Sequence, residues 1–318
     1  MQALVLKSTG KWYSILLPSG EVINAGIKGK LRLDGLKTTN PVAAGDRVLV
    51  EKRAFHYEDD TAEYAICDVL PRDNYIVRKS TNLSKQMQII AANIDRMYLV
   101  VTLKSPITQL AFVDRMLVSA ESFRIPVTLL FNKIDLLNQE ELFNLEEHIK
   151  LYEAIGYACK AIRGEEPDDV AFLKVEISDK QVLFTGNSGV GKSTLVNSLD
   201  PSLSLRTGEI SQAHEQGKHT TTFAEMHALK SGGYIIDTPG IRAFGLIDLE
   251  KAHYAHYFPE MRERMDSCKF HNCQHLNEPN CAIKKGVEAG DIAASRYQTY
   301  VQLMVEDSND PYRRNEYA

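Results

Sequence analysis

The hydrophobic positions at the start of the chain fall into short runs separated by polar and turn-forming residues. These runs are Leu4–Leu6, Trp12–Leu17, Val22–Ile23, Val48–Val50 and Tyr64–Leu70. Short runs with Gly and Pro between them, and with no helical period, are typical of the strands of a small barrel. The pattern predicts an all-β oligonucleotide-binding (OB) barrel over residues 1–71, and an SH3-like barrel fits it nearly as well.

After residue 71 hydrophobic runs alternate with segments of helical period. Arg96–Leu103 and Val127–Phe131 are apolar enough for buried strands, and between them hydrophobic residues recur at helical spacing from Val113 to Phe123. Further predicted elements are a helix at Glu140–Ile155 and strands at Tyr157–Ile162, Val182–Phe184 and Tyr234–Ile236. This alternation predicts an α/β domain over residues 72–242, with a parallel sheet and helices on both faces.

Beyond residue 242 the strand pattern stops. Residues 243–318 contain a cluster of Cys and His, and a closing helix is predicted at Asp291–Glu306. We therefore expect a mostly helical third domain. A length of 318 residues allows two domains, or three small ones, at roughly 150 residues per domain.

The composition narrows the class of protein. Hydrophobic residues make up 44% and charged residues 25% of the chain, the balance of an ordinary globular protein. The formal charge is -5, so no overall positive field attracts nucleic acid, and RNA contacts must come from local patches. Ala3–Leu6 is too short for a signal peptide, and no apolar segment approaches the ~20 residues of a membrane helix. We expect a cytoplasmic monomer with no membrane partner.

A phosphate-binding loop is the most specific motif in the chain. Gly186–Ser193 fits G-x-x-x-x-G-K-[ST], directly after the apolar run Val182–Phe184. The backbone N–H groups of such a loop point at phosphate oxygens, Lys192 neutralises the β and γ phosphates, and the Ser193 hydroxyl binds Mg²⁺. The predicted nucleotide contacts here are Gly186, Asn187, Ser188, Gly189, Val190, Gly191, Lys192, Ser193 and Thr194.

A D-x-x-G motif follows the next apolar strand. Asp237 stands at the end of Tyr234–Ile236, and Gly240 comes three residues later. At the same edge of the sheet, Asp237 would hold Mg²⁺ through a water, and the backbone N–H of Gly240 would approach the γ phosphate. The motif is weak alone, but its distance behind a phosphate-binding loop makes it informative.

A guanine-recognition motif, N-K-x-D, lies at Asn132–Asp135 after the strand Val127–Phe131. The Asp135 carboxylate can accept from both the ring N1–H and the exocyclic amine of guanine, and a buried carboxylate left unpaired would disfavour adenine. Asn132 would tie this loop to the phosphate-binding loop, and the stem of Lys133 would cover a face of the base.

The order of the two motifs is reversed relative to common GTPases, in which the phosphate-binding loop comes first. If both motifs serve one site, the fold is circularly permuted, with the usual termini joined near Ser178–Lys180. The segment after Gly240 then runs directly into the C-terminal domain.

The Cys and His cluster has the spacing of a metal site. Cys268, Cys273, His275 and Cys281 supply three thiolates and one imidazole, which fill the four positions of a tetrahedral Zn²⁺ site. Because no position stays open for water, the predicted zinc is structural. His271 is one residue too many and is expected on the surface or beside the ligands.

This combination resembles the ribosome small subunit-dependent GTPase A family of bacteria. The segment Gly217–Thr222 looks like the family's switch I pattern, and the motif order and flanking domains agree over nearly the whole chain. The resemblance implies an OB domain, a permuted GTPase domain and a zinc domain. It also implies a GTPase that acts late in maturation of the small ribosomal subunit, binds its rRNA and is stimulated by it. The loop that usually carries Ser-Ala beside the guanine falls near Arg163-Gly164.

The group that orients the attacking water is not the usual Gln, because Ile241 occupies that position. His219 is the best candidate, since an imidazole can hydrogen-bond the nucleophile, and the resemblance points to the same residue. The alternative is an exposed loop His that only contacts rRNA. Thr221 or Thr222 should complete the Mg²⁺ shell. His219 and Lys192 are thus the predicted catalytic residues.

Local basic patches are the candidate RNA contacts. They comprise Arg72, Arg78, Lys79 and Lys85, and on the barrel Lys7, Lys11, Lys28, Lys30 and Arg32 with Trp12 and Tyr13. Aromatic residues among basic ones suit an OB surface that binds RNA, although composition alone fits a solvated surface equally well. The resemblance favours RNA.

We therefore predict a GTPase that converts GTP to GDP and phosphate, with Mg²⁺ and one structural Zn²⁺, on the small ribosomal subunit. One alternative is a nucleotide-stabilised RNA-binding assembly scaffold with incidental turnover. Another is a phosphate-loop kinase, against which N-K-x-D and the missing Gln argue.

Overall fold

The computed structural model describes residues 1–9, 12–28, 40–53, 63–79, 87–203, 224–237 and 250–306. Its strands are β1 (Gln2–Ser8), β2 (Tyr13–Leu16), β3 (Val22–Ile27), β4 (Arg47–Lys52), β5 (Tyr64–Val69), β6 (Tyr75–Lys79), β7 (Met87–Ala92), β8 (Arg96–Val101), β9 (Val127–Phe131), β10 (Ala158–Ala161), β11 (Gln181–Thr185), β12 (Glu225–Ala228) and β13 (Tyr234–Asp237). Its α-helices are α1 (Leu110–Ser122), α2 (Gln139–Ile155), α3 (Pro167–Ile177), α4 (Lys192–Leu199), α5 (Pro259–Arg262), α6 (Ala282–Ala289) and α7 (Ala294–Val305). None of the helices in these ranges is both long and apolar enough to cross a bilayer.

The first five strands close into a small barrel. They pair in the order β1-β2-β3-β5-β4, and β1 returns to pair with β4. The β3–β5 pairing is parallel and the other pairings are antiparallel. Alternate side chains such as Val5, Ile15 and Val48 are buried inside, as the strand period of two requires. The predicted N-terminal β-barrel is confirmed.

The central α/β domain is also confirmed. Strands β10, β9, β8, β11 and β13 lie side by side and are all parallel. Helices α1 and α2 cover one face, where Leu99 and Leu129 are buried, and α3 and α4 cover the other, where Val100 and Leu130 are buried. Because both faces are covered, these strands are almost continuously apolar.

The sheet is not wholly parallel, which corrects the prediction. Strand β12 pairs antiparallel with β13, through a tight turn in which Leu229 donates to the Gly233 carbonyl at 3.0 Å. Gly233 has a φ of 80°, and a side chain there would meet the Ile177 carbonyl at 2.1 Å. A connection this short can join only antiparallel strands.

Strand β12 also joins the α/β sheet to the barrel. Lys7 of β1 pairs with Glu225 of β12, and the Lys7 Nζ lies 2.5 Å from the Glu225 carboxylate. Leu4 and Leu6, on the outer side of β1, pack against the core under α1. One sheet of eleven strands therefore runs from the α/β domain into the barrel.

A hairpin of β6 and β7, which the sequence did not predict, follows the barrel. Just before it, Arg72 donates to the two oxygens of Asp46, each at 2.6 Å, and to the Pro41 carbonyl. Arg72 and Asp46 have only 8% and 0% of their side chains exposed, which corrects the prediction of Arg72 as an RNA contact. This buried bidentate pair fixes the chain as it leaves the barrel.

The C-terminal residues form a helical unit docked on α1. Phe258, Ile283 and Tyr300 form its core together with Val118 of α1. A short 3-10 helix, Lys251–Tyr257, precedes α5 and packs against both α1 and α7. The predicted mostly helical character of this region is therefore observed.

A buried ionic network holds this unit in place. Arg296 of α7 is 0% exposed and donates to Glu260 at 2.8 and 3.1 Å and to Asp114 at 3.0 Å. Asp114 also accepts from the hydroxyls of Tyr152 and Thr299, at 2.9 and 2.8 Å. Burial alone would lower the pKa of Arg296, but the two carboxylates outweigh it and the pKa is raised. The Arg296 guanidinium thus joins α7 to α1 and α5, and Asp114 extends the network to α2 through Tyr152.

Replacing Asp114 by Ala should destabilise the protein by about 3–5 kcal/mol, because it removes a buried partner of Arg296 and leaves the Tyr152 hydroxyl without its acceptor. The free energy of unfolding in urea measures this loss. The matched control is Arg262→Ala at the same interface. Arg262 is 51% exposed and pairs with Glu121 at 3.4 Å, so its loss should cost less than about 1 kcal/mol. Equal losses in the two variants would contradict the assigned role of the network.

Candidate functional site

The phosphate-binding loop connects β11 to α4. Gly186 has a φ of 144°, and a Cβ there would lie 2.3 Å from the Val100 carbonyl oxygen. Only Gly therefore allows the loop to lie this close to β8. Lys192 begins α4, and its Nζ donates to the carbonyls of Gly186 and Asn187 at 2.8 and 2.6 Å. The ammonium group is thus held over the loop, at the positive end of the helix.

Asn132 joins the N-K-x-D loop to the phosphate-binding loop. It follows β9, which is separated from β11 by β8 alone. The side chain is buried, and its Nδ2 donates to the Val190 carbonyl at 2.9 Å. Gly191, with a φ of 97°, is needed here, because a Cβ would lie 2.5 Å from that Nδ2. Two motifs far apart in the sequence therefore touch.

Lys133 makes a second connection between the same two loops. Its backbone is left-handed, with a φ of 63°, and its Nζ donates to the carbonyls of Gly189 and Ser105, both at 2.7 Å. The contact with Ser105 brings in the loop between β8 and α1. Three loops are thus held together at the carboxyl ends of their strands.

Asp135 lies beside this junction, in a short 3-10 turn, Ile134–Leu136. Its side chain is exposed on the protein surface. The turn follows left-handed Lys133 and lies on the surface, so among the described residues nothing covers the carboxylate. Discrimination between guanine and adenine would therefore require the bound base itself to bury the Asp135 carboxylate.

The loop after β10 is a contact that the sequence motifs did not reveal. The Gly164 N–H donates to the Asn132 Oδ1 at 2.7 Å, and its carbonyl accepts from the Ser198 hydroxyl of α4 at 2.8 Å. The position of the family's Ser-Ala loop was the one available signal. The Gly164 contacts are made by backbone groups, which every residue type except Pro has, so the sequence does not identify them.

Two further predicted site residues flank the phosphate-binding loop. Asp237 ends β13, whose Ile236 pairs with Leu183 of β11, so its backbone reaches the same sheet edge. Ser193 follows Lys192 in the first turn of α4, and Thr194 comes next. The remaining predicted residues, His219, Thr221, Thr222 and Gly240, lie outside the described residues.

The predicted metal ligands come together in the C-terminal unit. One ligand atom each from Cys268, Cys273, His275 and Cys281 lies within 4.8 Å of the others. The His275 Nδ1 is 3.6 Å from the Cys268 Sγ and 3.4 Å from the Cys281 Sγ. Zinc bonds of about 2.3 Å to sulfur and 2.1 Å to nitrogen give a tetrahedral edge of ~3.5 Å, so the group fits zinc.

The loop that carries His275 is firmly held. The Tyr297 hydroxyl donates to the His275 carbonyl, and the Tyr300 hydroxyl donates to the Gln274 carbonyl, both at 2.7 Å. The Glu278 carboxylate accepts from the backbone N–H of Gln274 at 2.8 Å. Burial lowers the pKa of His275, which favours the neutral imidazole that a metal requires. His271 is exposed and is not part of the group.

Comparison with known proteins identifies close relatives. Residues 69–247 match the family model described as RsgA GTPase. The Small ribosomal subunit biogenesis GTPase RsgA of Christiangramia forsetii is 47% identical, over 100% of this chain and 99% of that protein. The protein of the same name from Bacteroides fragilis is 45% identical, over 98% of this chain and 99% of that one.

Two solved structures are similar throughout. The crystal structure of YjeQ from Thermotoga maritima has a TM-score of 0.75 and 31% identity, and covers 95% of this chain and 96% of that one. YloQ, described as a circularly permuted GTPase, has a TM-score of 0.72 and 28% identity, with coverages of 95% and 93%. The circular permutation predicted from the motif order is thereby confirmed.

Proposed function

The chain belongs to the RsgA GTPase family, and from this we propose that it hydrolyses GTP to GDP and phosphate in biogenesis of the small ribosomal subunit. The reaction is assigned to the sheet edge where N-K-x-D meets the phosphate-binding loop. The hydrogen bond from Asn132 to the Val190 carbonyl carries this proposal, because it holds a base-recognition loop directly against a triphosphate-binding loop.

The base and the phosphates have separate partners in this proposal. Backbone N–H groups of Gly186–Ser193 bind the phosphates, and Lys192 leaves its carbonyl partners to neutralise the β and γ charges. Asp135 accepts from guanine N1–H and the exocyclic amine, while Lys133 lies over the ring. Adenine offers no such donor pair, so it would cover the Asp135 carboxylate without satisfying it.

A magnesium site fits the residues at the same edge. The Ser193 hydroxyl, the Asp237 carboxylate and one hydroxyl from Thr221 or Thr222 are the hard oxygen ligands that Mg²⁺ prefers. The strand pairing of β13 with β11 supports this set, because it brings Asp237 to the edge where α4 begins. When bound, Mg²⁺ would neutralise charge on the phosphates.

The hydrolytic step is assigned to His219, with Gly240 binding the γ phosphate through its backbone N–H. Ile241 has no polar group to orient water, whereas the His219 imidazole can accept a hydrogen bond from the nucleophile. Lys192 stabilises the charge that develops on the transferred phosphoryl group. Slow intrinsic turnover is expected because Ile241 replaces the usual Gln, and the ribosomal particle would complete the hydrolytic site.

The flanking domains are assigned to rRNA. We propose boundaries of 1–71, 72–242 and 243–318, and an OB type for the barrel. The strand order β1-β2-β3-β5-β4, closed by β1 and β4, supports the OB assignment over the SH3-like one. On this barrel Lys28 is exposed and pairs with Glu51 at 2.7 Å. Tyr13 is buried in the barrel core, which corrects its prediction as an RNA contact. Work on ribosomal particles would place the protein in the cytoplasm.

The C-terminal cluster is assigned to one structural zinc ion. Cys268, Cys273, His275 and Cys281 supply four ligands, so no position remains for a reacting water. The ion would cross-link the segment before α6 and so stabilise the fold of this domain.

Purified protein should hydrolyse GTP but not ATP, and small ribosomal subunits should accelerate GTP turnover by up to ~10³–10⁵. Phosphate release with and without subunits measures this. The control variant Asp135→Asn replaces an acceptor by a donor, and should shift preference from guanine to xanthine nucleotides. A GTP turnover rate that small subunits do not change, together with tight rRNA binding in every nucleotide state, would indicate an assembly scaffold instead.

His219→Ala should depress the subunit-stimulated kcat while leaving GDP affinity unchanged, because the imidazole acts on water and not on the nucleotide. Titration with a fluorescent GDP analogue and single-turnover hydrolysis on subunits separate the two effects. His227→Ala, on β12, is a matched control that should keep the stimulated rate. Unchanged stimulated turnover in the His219 variant would remove this residue from the mechanism.

Cys281→Ser should lose bound zinc and loosen the C-terminal domain, whereas Cys67→Ser, on the barrel, should retain one zinc per chain. Metal content by mass spectrometry and protease resistance of residues 250–306 report the difference. GDP affinity should change little in both variants, since the metal ligands lie in the C-terminal helical unit and the nucleotide loops in the α/β domain. One equivalent of zinc in the Cys281 variant would refute the ligand assignment.

A further inference from the structure

The loop after β10 contains an ion pair that also fixes the backbone. The Asp169 carboxylate, in the first turn of α3, accepts from the Arg163 backbone N–H at 2.9 Å. It also accepts from the Arg163 Nε and Nη2, at 2.8 and 3.0 Å. A single carboxylate therefore determines both the side chain and the main chain of Arg163.

The fixed main chain places Gly164 against Asn132. Gly164 is buried, and its N–H donates to the Asn132 Oδ1 while its carbonyl accepts from Ser198. A Cβ on Gly164 would lie 3.0 Å from the Oδ1 and 3.2 Å from the Nδ2 of Asn132. Both contacts are tight, so a larger residue would push the carboxamide away.

The orientation of the Asn132 carboxamide depends on both of its ends. With the Oδ1 held by Gly164, the Nδ2 is directed at the Val190 carbonyl, which is the link between the two nucleotide loops. Loss of the Gly164 contact would leave a buried carbonyl unpaired and free the amide to rotate.

We propose that Arg163 and Gly164, clamped by Asp169, are positioning residues for guanine nucleotide binding, because they hold Asn132 in the orientation that joins the two loops. The inference rests on the proposed nucleotide site. It concerns the loop between β10 and α3, in which this chain has Arg163-Gly164. The three residues act through Asn132, and no contact with the base is assigned to them.

The charge of Arg163 adds a second effect at the same place. Its pKa is raised by the hydrogen bonds and charge of Asp169, with smaller contributions from Glu166 and Asp135. The guanidinium is thus near enough to Asp135 for the two opposite charges to attract each other beside the guanine-recognition motif.

The test compares Gly164→Ala and Asp169→Ala with Asp168→Ala. Asp168 is an exposed acid in the same turn of α3, so its loss reproduces the change in charge at the helix N-terminus. The Kd for GDP should rise about tenfold in the first two variants, as the loss of one oriented buried hydrogen bond implies, and stay unchanged in the control. At saturating GTP the subunit-stimulated kcat should remain within about twofold in all three.

A double variant distinguishes the clamp from two independent effects. If Asp169 acts through the main chain and side chain of Arg163, Arg163→Ala combined with Asp169→Ala should weaken GDP binding no more than Asp169→Ala alone. Arg163→Ala alone keeps the backbone hydrogen bond to Asp169 and should weaken GDP binding less. Thermal unfolding without nucleotide checks that each variant is folded, and Asp169→Ala carries the test if Gly164→Ala does not fold.

The outcomes separate this inference from the function on which it rests. Wild-type protein that binds ADP as tightly as GDP would refute the proposed site itself. Wild-type preference for GDP, with both test variants binding GDP normally, would overturn only the positioning role. A Kd that rises equally in Asp168→Ala would also overturn it.

Discussion

The parallel pairing of β9, β8, β11 and β13 is the constraint on which the candidate site depends. Parallel strands present their carboxyl ends at one edge, whatever the order in which the chain visits them. Asn132 and Val190 therefore meet although N-K-x-D precedes the phosphate-binding loop. The chain passes from α3 to β11 through a tight turn, in which Lys180 donates to the Ile177 carbonyl at 2.9 Å. This turn is where the permuted order joins the usual termini.

The permutation also decides which elements connect to the flanking domains. The hairpin of β12 and β13 lies in the chain between the segment containing His219 and the one containing Gly240, and its outer strand is bridged to β1 of the barrel. On the other side, α1 starts from the loop that holds Ser105 and docks α7. Both flanking domains are thus attached to elements that adjoin the nucleotide loops, which gives the nucleotide a short physical path to each.

The sequence predicts the parts whose physical cause is local. Apolar runs identify the buried strands of the α/β domain, and residue identity defines the phosphate-binding loop and the four metal ligands. Strand β12 was missed because it has four residues of mixed polarity, and the exposure of Asp135 depends on a surface turn. The roles of Gly164 and Arg296 depend on partners from distant segments, and neither a backbone N–H nor a buried guanidinium can be recognised before those segments meet.

The burial of Arg296 is best explained by its effect on the orientation of α7 relative to α1. An apolar contact between α7 and α1 could provide similar stability, because the free energy needed to remove a guanidinium from water offsets most of the stabilisation by its ion pairs. Apolar surfaces, however, tolerate sliding and rotation, whereas Arg296 is satisfied only when Glu260 and Asp114 lie at its two edges with the Phe258 ring 4.7 Å from its centre. A misplaced α7 would leave a buried charge unpaired. The network therefore selects one placement of the helical unit on α1. Because α1 follows the loop in which the Ser105 carbonyl accepts from Lys133, this placement is also fixed relative to the N-K-x-D loop.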